Sequence, residues 1–115
     1  MNLEKINNQI EGLQLLKDTI IECSNEKQST IEGITAQYYI EMQNIKSVAI
    51  RMNEDGYRII SERGKKKYDA SDIKDIIESR ENTTYIFQIA KLLFCYNQEK
   101  YKTNELIIRL KTIKK

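Results

Sequence analysis

The chain has 115 residues, 40% hydrophobic and 31% charged, with no proline, four glycines and no histidine. This length predicts one domain over residues 1–115 that needs neither a metal nor a disulfide to fold. Scarce proline and glycine leave long helices uninterrupted, which predicts a mainly α fold. Because histidine is the commonest general base and is absent, we expect no enzyme activity, no cofactor and no metal.

The termini and cysteines indicate a cytoplasmic protein without membrane contact. No apolar run approaches the roughly 20 residues of a membrane span, and Met1–Lys5 begins an amphipathic pattern instead of a signal peptide. Cys23 and Cys95 stand apart without a CxxC pair, so we expect both to be small buried apolar side chains. Abundant isoleucine, lysine and asparagine with little alanine is typical of an AT-rich bacterium or mobile element.

The net charge of +2 is unevenly distributed along the chain. Residues 1–55 carry five Lys/Arg and nine Asp/Glu, whereas residues 56–115 carry fourteen Lys/Arg and eight Asp/Glu. Either the acidic and basic halves face each other inside one fold, or the basic half meets a polyanion.

The acidic half predicts a long αα-hairpin. Apolar residues recur at steps of three and four along two segments, which places each set on one helix face toward the core. Ser29 and Glu32 fit a capping box at the start of the second helix, which is expected to run unbroken to Asp55-Gly56. The two stripes are Leu3, Ile6, Ile10, Leu13, Leu16 and Ile20, and Ile31, Ile34, Tyr38, Met42, Ile45, Ala49 and Met52.

Leu15 and Ile21 lie beside the main stripe of the first helix. An additional apolar row is commonly buried between two copies of a chain, so we predict a homodimer through this helix.

The basic half begins with a predicted β-hairpin. Tyr57–Ser61 and Lys66–Ala70 favour strands and flank Glu62–Lys65, whose Gly64 suits a turn. An irregular loop is the alternative. The hairpin would be small and wing-like, between the helical hairpin and three shorter helices.

Three shorter helices are expected to follow. Ser71 is a suitable N-cap for the first, and Thr103 for the last. The segment Tyr85–Tyr96 has few polar residues on any side, which predicts a central buried helix.

The densest positive charge falls on the predicted β-hairpin. Five cations lie within ten positions, where a hairpin tip is placed to reach phosphates along a groove or an acidic patch on a protein. A turn kept polar for solubility is the alternative. The candidate binding residues are Arg58, Arg63, Lys65, Lys66 and Lys67.

Two short segments resemble DNA-binding proteins. Gly64–Ile76 resembles the wing-to-helix junction of MerR-type regulators, in which a glycine, an aromatic residue and an Asp-aliphatic pair stand at similar spacing. The match covers 13 of 115 residues, and the family's N-terminal helix-turn-helix has no counterpart in residues 1–55. Ile89–Leu93 followed by Thr103–Leu110 resembles a generic helix-turn-helix with a longer connection.

Two classes of function follow from these features. The first is a DNA-binding transcription regulator of winged-helix or related type, which uses the basic hairpin and the C-terminal helices on phosphate. The second is a phage or mobile-element protein that inhibits a bacterial defence or host protein by direct binding, as anti-CRISPR proteins do. The expected partner is therefore a nucleic acid, or an acidic or nucleic-acid-binding protein.

Overall fold

The computed structural model describes residues 2–114 and contains six helices and one two-stranded antiparallel sheet. The predicted mainly α architecture is confirmed, with an N-terminal helical hairpin, a small β-hairpin and three shorter helices. The elements are α1 (Leu3–Asn25), α2 (Ile31–Met42), α3 (Ile45–Glu54), β1 (Ile59–Ser61), β2 (Gly64–Lys66), α4 (Ala70–Glu78), α5 (Tyr85–Asn97) and α6 (Thr103–Ile113).

Helix α5 lies at the centre of the core, as its apolar sequence predicts. It packs against α2, α4 and α6. Tyr39 of α2 meets Phe94 of α5 edge to face, with ring centroids 5.6 Å apart, and the Tyr39 hydroxyl accepts a hydrogen bond from Asn97 at 3.0 Å. The buried residues of α5 are Ile86, Phe87, Ile89, Ala90, Leu92, Leu93 and Phe94.

Helix α1 packs against the core with the last two residues of the predicted stripe, Leu16 and Ile20, and with residues outside that stripe. Its buried residues are Gly12, Thr19 and Cys23, while Leu15 and Leu16 are partly buried against the core. Helix α6 approaches so closely that a Cβ added to Gly12 would lie 2.6 Å from a methyl carbon of Ile107. The glycine therefore selects the side of α1 on which α6 packs.

The first four residues of the predicted α1 stripe point away from the core. Leu3, Ile6, Ile10 and Leu13 are all exposed, so the prediction that they face the core is wrong. Amphipathic spacing identifies an apolar face, but here close packing at Gly12 decides which face is buried.

The predicted second helix is divided in two. Gln43 has a left-handed backbone, with φ at 50°, and ends α2. Asn44 then begins α3, and its side-chain oxygen accepts a hydrogen bond from the Ser47 N–H at 2.9 Å. The expectation of one unbroken helix is wrong because this cap gives the backbone a local alternative to continuing α2.

Two helices begin one residue away from the expected position. The N-cap of α2 is Thr30 instead of Ser29. Lys102 occupies the N-cap position of α6, so Thr103 is its first helical residue. The Thr103 hydroxyl instead forms a hydrogen bond with that of Tyr96 at 3.0 Å, which ties α6 to α5.

Both cysteines are free thiols. Cys23 is fully buried, and this burial raises the pKa of its thiol to about 11, so it stays protonated and unreactive at neutral pH. Cys95 is only half-buried. The expectation of two buried side chains is confirmed for Cys23 and met in part by Cys95.

Shortening an isoleucine side chain should destabilise the protein more in the core than on the exposed side of α1. Ile40 is fully buried, so Ile40→Ala should lower the free energy of unfolding by about 2–5 kcal/mol. The matched change Ile10→Ala, on the exposed side of α1, should cost less than about 0.5 kcal/mol. Urea unfolding at low micromolar protein measures both, and equal losses would place Ile10 in a core.

Candidate nucleic-acid interface

The predicted β-hairpin is confirmed, with shorter strands and a tighter turn. Ile59 pairs with Lys66, Ile60 with Lys65, and Ser61 with Gly64, leaving the two residues 62 and 63 as the turn. Gly64 has a φ of 110°, a conformation that side-chain-bearing residues rarely adopt.

The base of the hairpin is fastened to α3 by Asn53. Its side-chain amide donates to the Tyr68 carbonyl at 2.9 Å, and its side-chain oxygen accepts from the Tyr68 N–H at 2.8 Å. The Tyr68 side chain is buried. The two hydrogen bonds close a long-range contact that the sequence pattern does not reveal.

Helix α4 starts directly beyond this anchor. Asp69 is its N-cap, not the expected Ser71, and Asp69 and Asp72 each accept a hydrogen bond from the other's backbone N–H. The Asp72 backbone hydrogen bond holds the pKa of the Asp69 carboxyl below its usual value. The hairpin is therefore held at its base on both sides, by α3 and by the start of α4.

The two faces of the hairpin differ in exposure. Ile59 is half-buried, whereas Ile60 is 79% exposed. Ile60 and its partner Lys65 share the outer face. An exposed isoleucine thus lies beside a lysine, while Arg58 and Lys67 stand just outside the two strands.

Two of the five candidate cations are engaged by the protein itself. Arg58 is half-buried and donates from one guanidinium nitrogen to the carbonyls of Asn53 at 3.1 Å and Tyr57 at 2.6 Å. The Lys66 ammonium lies 3.2 Å from the Asp72 carboxylate. Both therefore stabilise the hairpin base or the junction with α4.

The other three candidate cations remain unpaired. The side chains of Arg63, Lys65 and Lys67 are exposed. No hydrogen bond or ion pair engages these three side chains within the described residues 2–114. The hairpin thus presents three unpaired positive groups among the described residues, with Arg63 in the turn, Lys65 in β2 and Lys67 beside the anchored Tyr68.

Ion pairs between the acidic and basic halves of the chain are few among the described residues. Within the part of the chain that the structure describes, one ion pair crosses between residues 1–55 and 56–115, from Lys114 to Glu22 at 3.7 Å. The others join residues within one half. Within the described residues, the paired cations of the second half are Lys66, Arg109 and Lys114.

Helix α3 presents a second exposed surface that the sequence reading missed. Lys46, Ser47, Ile50 and Arg51 are exposed, and Ile50 keeps 51% of its surface in solvent. Arg51 is oriented by Asp55 at 3.3 Å and by the Tyr38 ring, whose centroid lies 5.0 Å away. The sequence signal for a separate α3 is the polar pair Gln43-Asn44, which falls between Met42 and Ile45 of the predicted apolar stripe.

The order of elements is helix, tight turn, helix, β-hairpin. Helices α2 and α3 are joined by Gln43 and Asn44 alone, and four residues separate α3 from β1. A helix-turn-helix also joins two helices by a short turn, of three or four residues, so the α2–α3 pair resembles it with a tighter turn. Helices α5 and α6, in which the sequence resembles a helix-turn-helix, are joined by a longer connection of five residues.

One open cleft of the molecule is acidic and therefore unsuited to phosphate. This cleft of about 760 Å³ between the α1–α2 and α4–α5 links is lined by four carboxylates, those of Glu26, Glu32, Asp75 and Glu81.

Within residues 2–114, no group of three or more His, Cys, Asp or Glu is placed to hold a metal ion. None of the helices described there is long and apolar enough to cross a membrane.

No family model, curated protein or solved structure matches the chain. The short resemblance to MerR-type regulators thus stays a prediction.

The Asn53 anchor can be tested directly. Asn53→Ala removes both hydrogen bonds to Tyr68 and should cost about 1–3 kcal/mol of unfolding free energy, since two partly buried backbone groups lose their partners. Amide hydrogen exchange should rise most at Tyr68 and across the hairpin. The control Asn7→Ala, at an exposed position of α1, should leave exchange unchanged; unchanged exchange in Asn53→Ala would show that the anchor is unimportant.

Proposed function

We propose that the protein acts by binding and not by catalysis, and that its ligand is duplex DNA, as for a cytoplasmic regulator of winged-helix or related type. The observation that carries this proposal is the projecting hairpin, on which Arg63, Lys65 and Lys67 are unpaired among the described residues. Phosphate contacts supply most of the affinity in such complexes.

The spacing of these cations suits a phosphate backbone. Lys65 and Lys67 are two residues apart, which along an extended strand is about 7 Å. Because both side chains are long, two lysines at this separation can reach neighbouring phosphates of one DNA strand, with Arg63 extending the contact around the turn.

Helix α3 supplies groups suited to the bases. A lysine can donate to guanine, a serine can pair with several base edges, and an aliphatic side chain can contact the thymine methyl group. Lys46, Ser47 and Ile50 provide these groups on the exposed side of α3. The tight turn before α3 and the hairpin after it support a role for this helix in the major groove.

Charge reversal on the hairpin tests the proposal. Arg63→Glu, Lys65→Glu and Lys67→Glu together should weaken binding to a mixed-sequence duplex at least tenfold, about 1.4 kcal/mol. Lys66 is kept because it pairs with Asp72. Fluorescence anisotropy at several salt concentrations gives the dissociation constant, and wild type should show a log–log salt slope near −2.7 for about three phosphate contacts.

A matched control distinguishes the effect of the hairpin cations from the effect of net charge alone. Lys27→Glu, Lys100→Glu and Lys102→Glu change the net charge equally at exposed positions outside the hairpin. This variant should bind within about threefold of wild type, because short-range phosphate contacts are kept. Equal affinity of the hairpin variant and wild type at low salt would contradict DNA binding through the hairpin.

Direct inhibition of a bacterial defence or host protein is the second candidate function. It is favoured by the engagement of Arg58 and Lys66 inside the protein, which leaves fewer cations than most DNA-binding surfaces use, and by the exposed apolar side of α1. Capture from host lysate distinguishes the two: a protein partner should persist after nuclease treatment, whereas a nucleic-acid complex should be lost.

The homodimer predicted from Leu15 and Ile21 also belongs to this proposal, although Leu15 packs against the core and only Ile21 of that row is exposed. Two copies on one duplex would double the number of phosphate contacts and make the second binding event intramolecular.

A further inference from the structure

Helix α1 carries an apolar row that the core does not use. We call this row the outer stripe: Leu3, Ile6, Ile10 and Leu13, which are 71%, 39%, 59% and 49% exposed. It lies roughly 140° around the helix from the buried residues Gly12, Thr19 and Cys23, at 3.6 residues per turn. Helix α1 therefore has two apolar sides, of which the fold covers one.

The spacing of the outer stripe is that of a two-helix seam. Its members follow at steps of three, four and three residues, as do the a and d positions of a coiled coil. A helix that faces a broad core usually carries a wider apolar face. The narrow stripe thus fits one further helix better than it fits a flat or extended surface.

We propose that the outer stripe binds the outer stripe of a second copy of this chain in antiparallel orientation. In the register that uses all four side chains, Leu3 packs against the partner's Leu13 and Ile6 against the partner's Ile10. The two-fold axis repeats both contacts, which gives four apolar layers from eight side chains.

Charge favours a second copy as the occupant. The positions that flank the stripe are the uncharged residues Asn7, Gln9 and Gln14, so two identical helices meet without like-charge repulsion along the seam. A partner of different charge would find no complementary ions at these positions.

Charge also favours the antiparallel orientation. Lys17 continues the seam at its next position. A parallel pair would place this lysine against the same lysine of the partner, whereas the antiparallel register carries it past Asn2, the N-cap of the partner's α1. Antiparallel packing therefore avoids burying two like charges.

The small size of the seam predicts a reversible dimer. Leu3–Leu13 spans about three turns, roughly 16 Å of helix, which is short for the interfaces of permanent dimers. We expect dissociation in the micromolar range, with monomer at about 1 µM and dimer at several hundred micromolar.

Sedimentation equilibrium without nucleic acid tests the proposal, so its outcome is independent of DNA binding. The mass of wild type should rise from 13.6 kDa toward twice that value with concentration. Ile6→Glu with Ile10→Glu should weaken dimerisation at least tenfold. The control Ile108→Glu, at a 64% exposed position on α6, should not. A monomeric mass at every concentration, or a dimer that survives the Ile6/Ile10 changes, would overturn the proposal.

Cysteine cross-linking tests the orientation in a Cys95→Ser background, where the remaining Cys23 is fully buried. Mixed Ile6→Cys and Ile10→Cys proteins should form a disulfide between the two different variants under mild oxidation. Each variant alone should cross-link at least tenfold more slowly. Rapid cross-linking of either variant with itself would indicate a parallel pair and overturn the antiparallel register.

Discussion

The break between α2 and α3 is the constraint on which the placement of the candidate interface depends. Gln43 adopts the left-handed conformation and the Asn44 side chain caps the new helix, so the chain changes direction within two residues. Helix α3 then packs against α4, and Asn53 near its end holds the backbone of Tyr68 on the far side of the hairpin. Without the break, the hairpin would lack its anchor, and its cations would have no fixed relation to the exposed side of α3.

A second constraint acts on α1. Gly12 admits Ile107 of α6 at a distance that any side chain would forbid, and this contact turns one apolar side of α1 toward the core and leaves the other outside. By hydrophobicity alone, either apolar side of α1 could face the core of the monomer. Close packing, which depends on the shape of both helices and not on hydrophobicity alone, chooses between them.

This distinction explains what the sequence could and could not predict. The mainly helical order of elements, the central position of α5 and the β-hairpin follow from local periodicity and turn residues, which short stretches of sequence encode. The division of the predicted second helix into α2 and α3 was missed. The buried side of α1 depends on α6, almost a hundred residues later. Likewise, five cations near the hairpin are visible in the sequence, but only the fold shows that Lys66 is paired with Asp72 and that Arg58 is bound to backbone carbonyls. Local patterns therefore locate the candidate site, whereas long-range contacts decide which of its residues are available.

The two surfaces that the fold leaves unused differ in the physics of their interactions, and this gives a way to separate their roles. Arg63, Lys65 and Lys67 would bind through charge, which salt weakens because released counterions lose their entropic advantage as bulk salt rises. The outer stripe would bind through apolar burial, which moderate salt scarcely affects and which sulfate strengthens. If both surfaces function, rising salt should release the nucleic acid from a protein that remains paired, since the apolar stripe contains no ion pair to screen. A dimer that dissociated together with the DNA would instead indicate that the nucleic acid holds the two copies together.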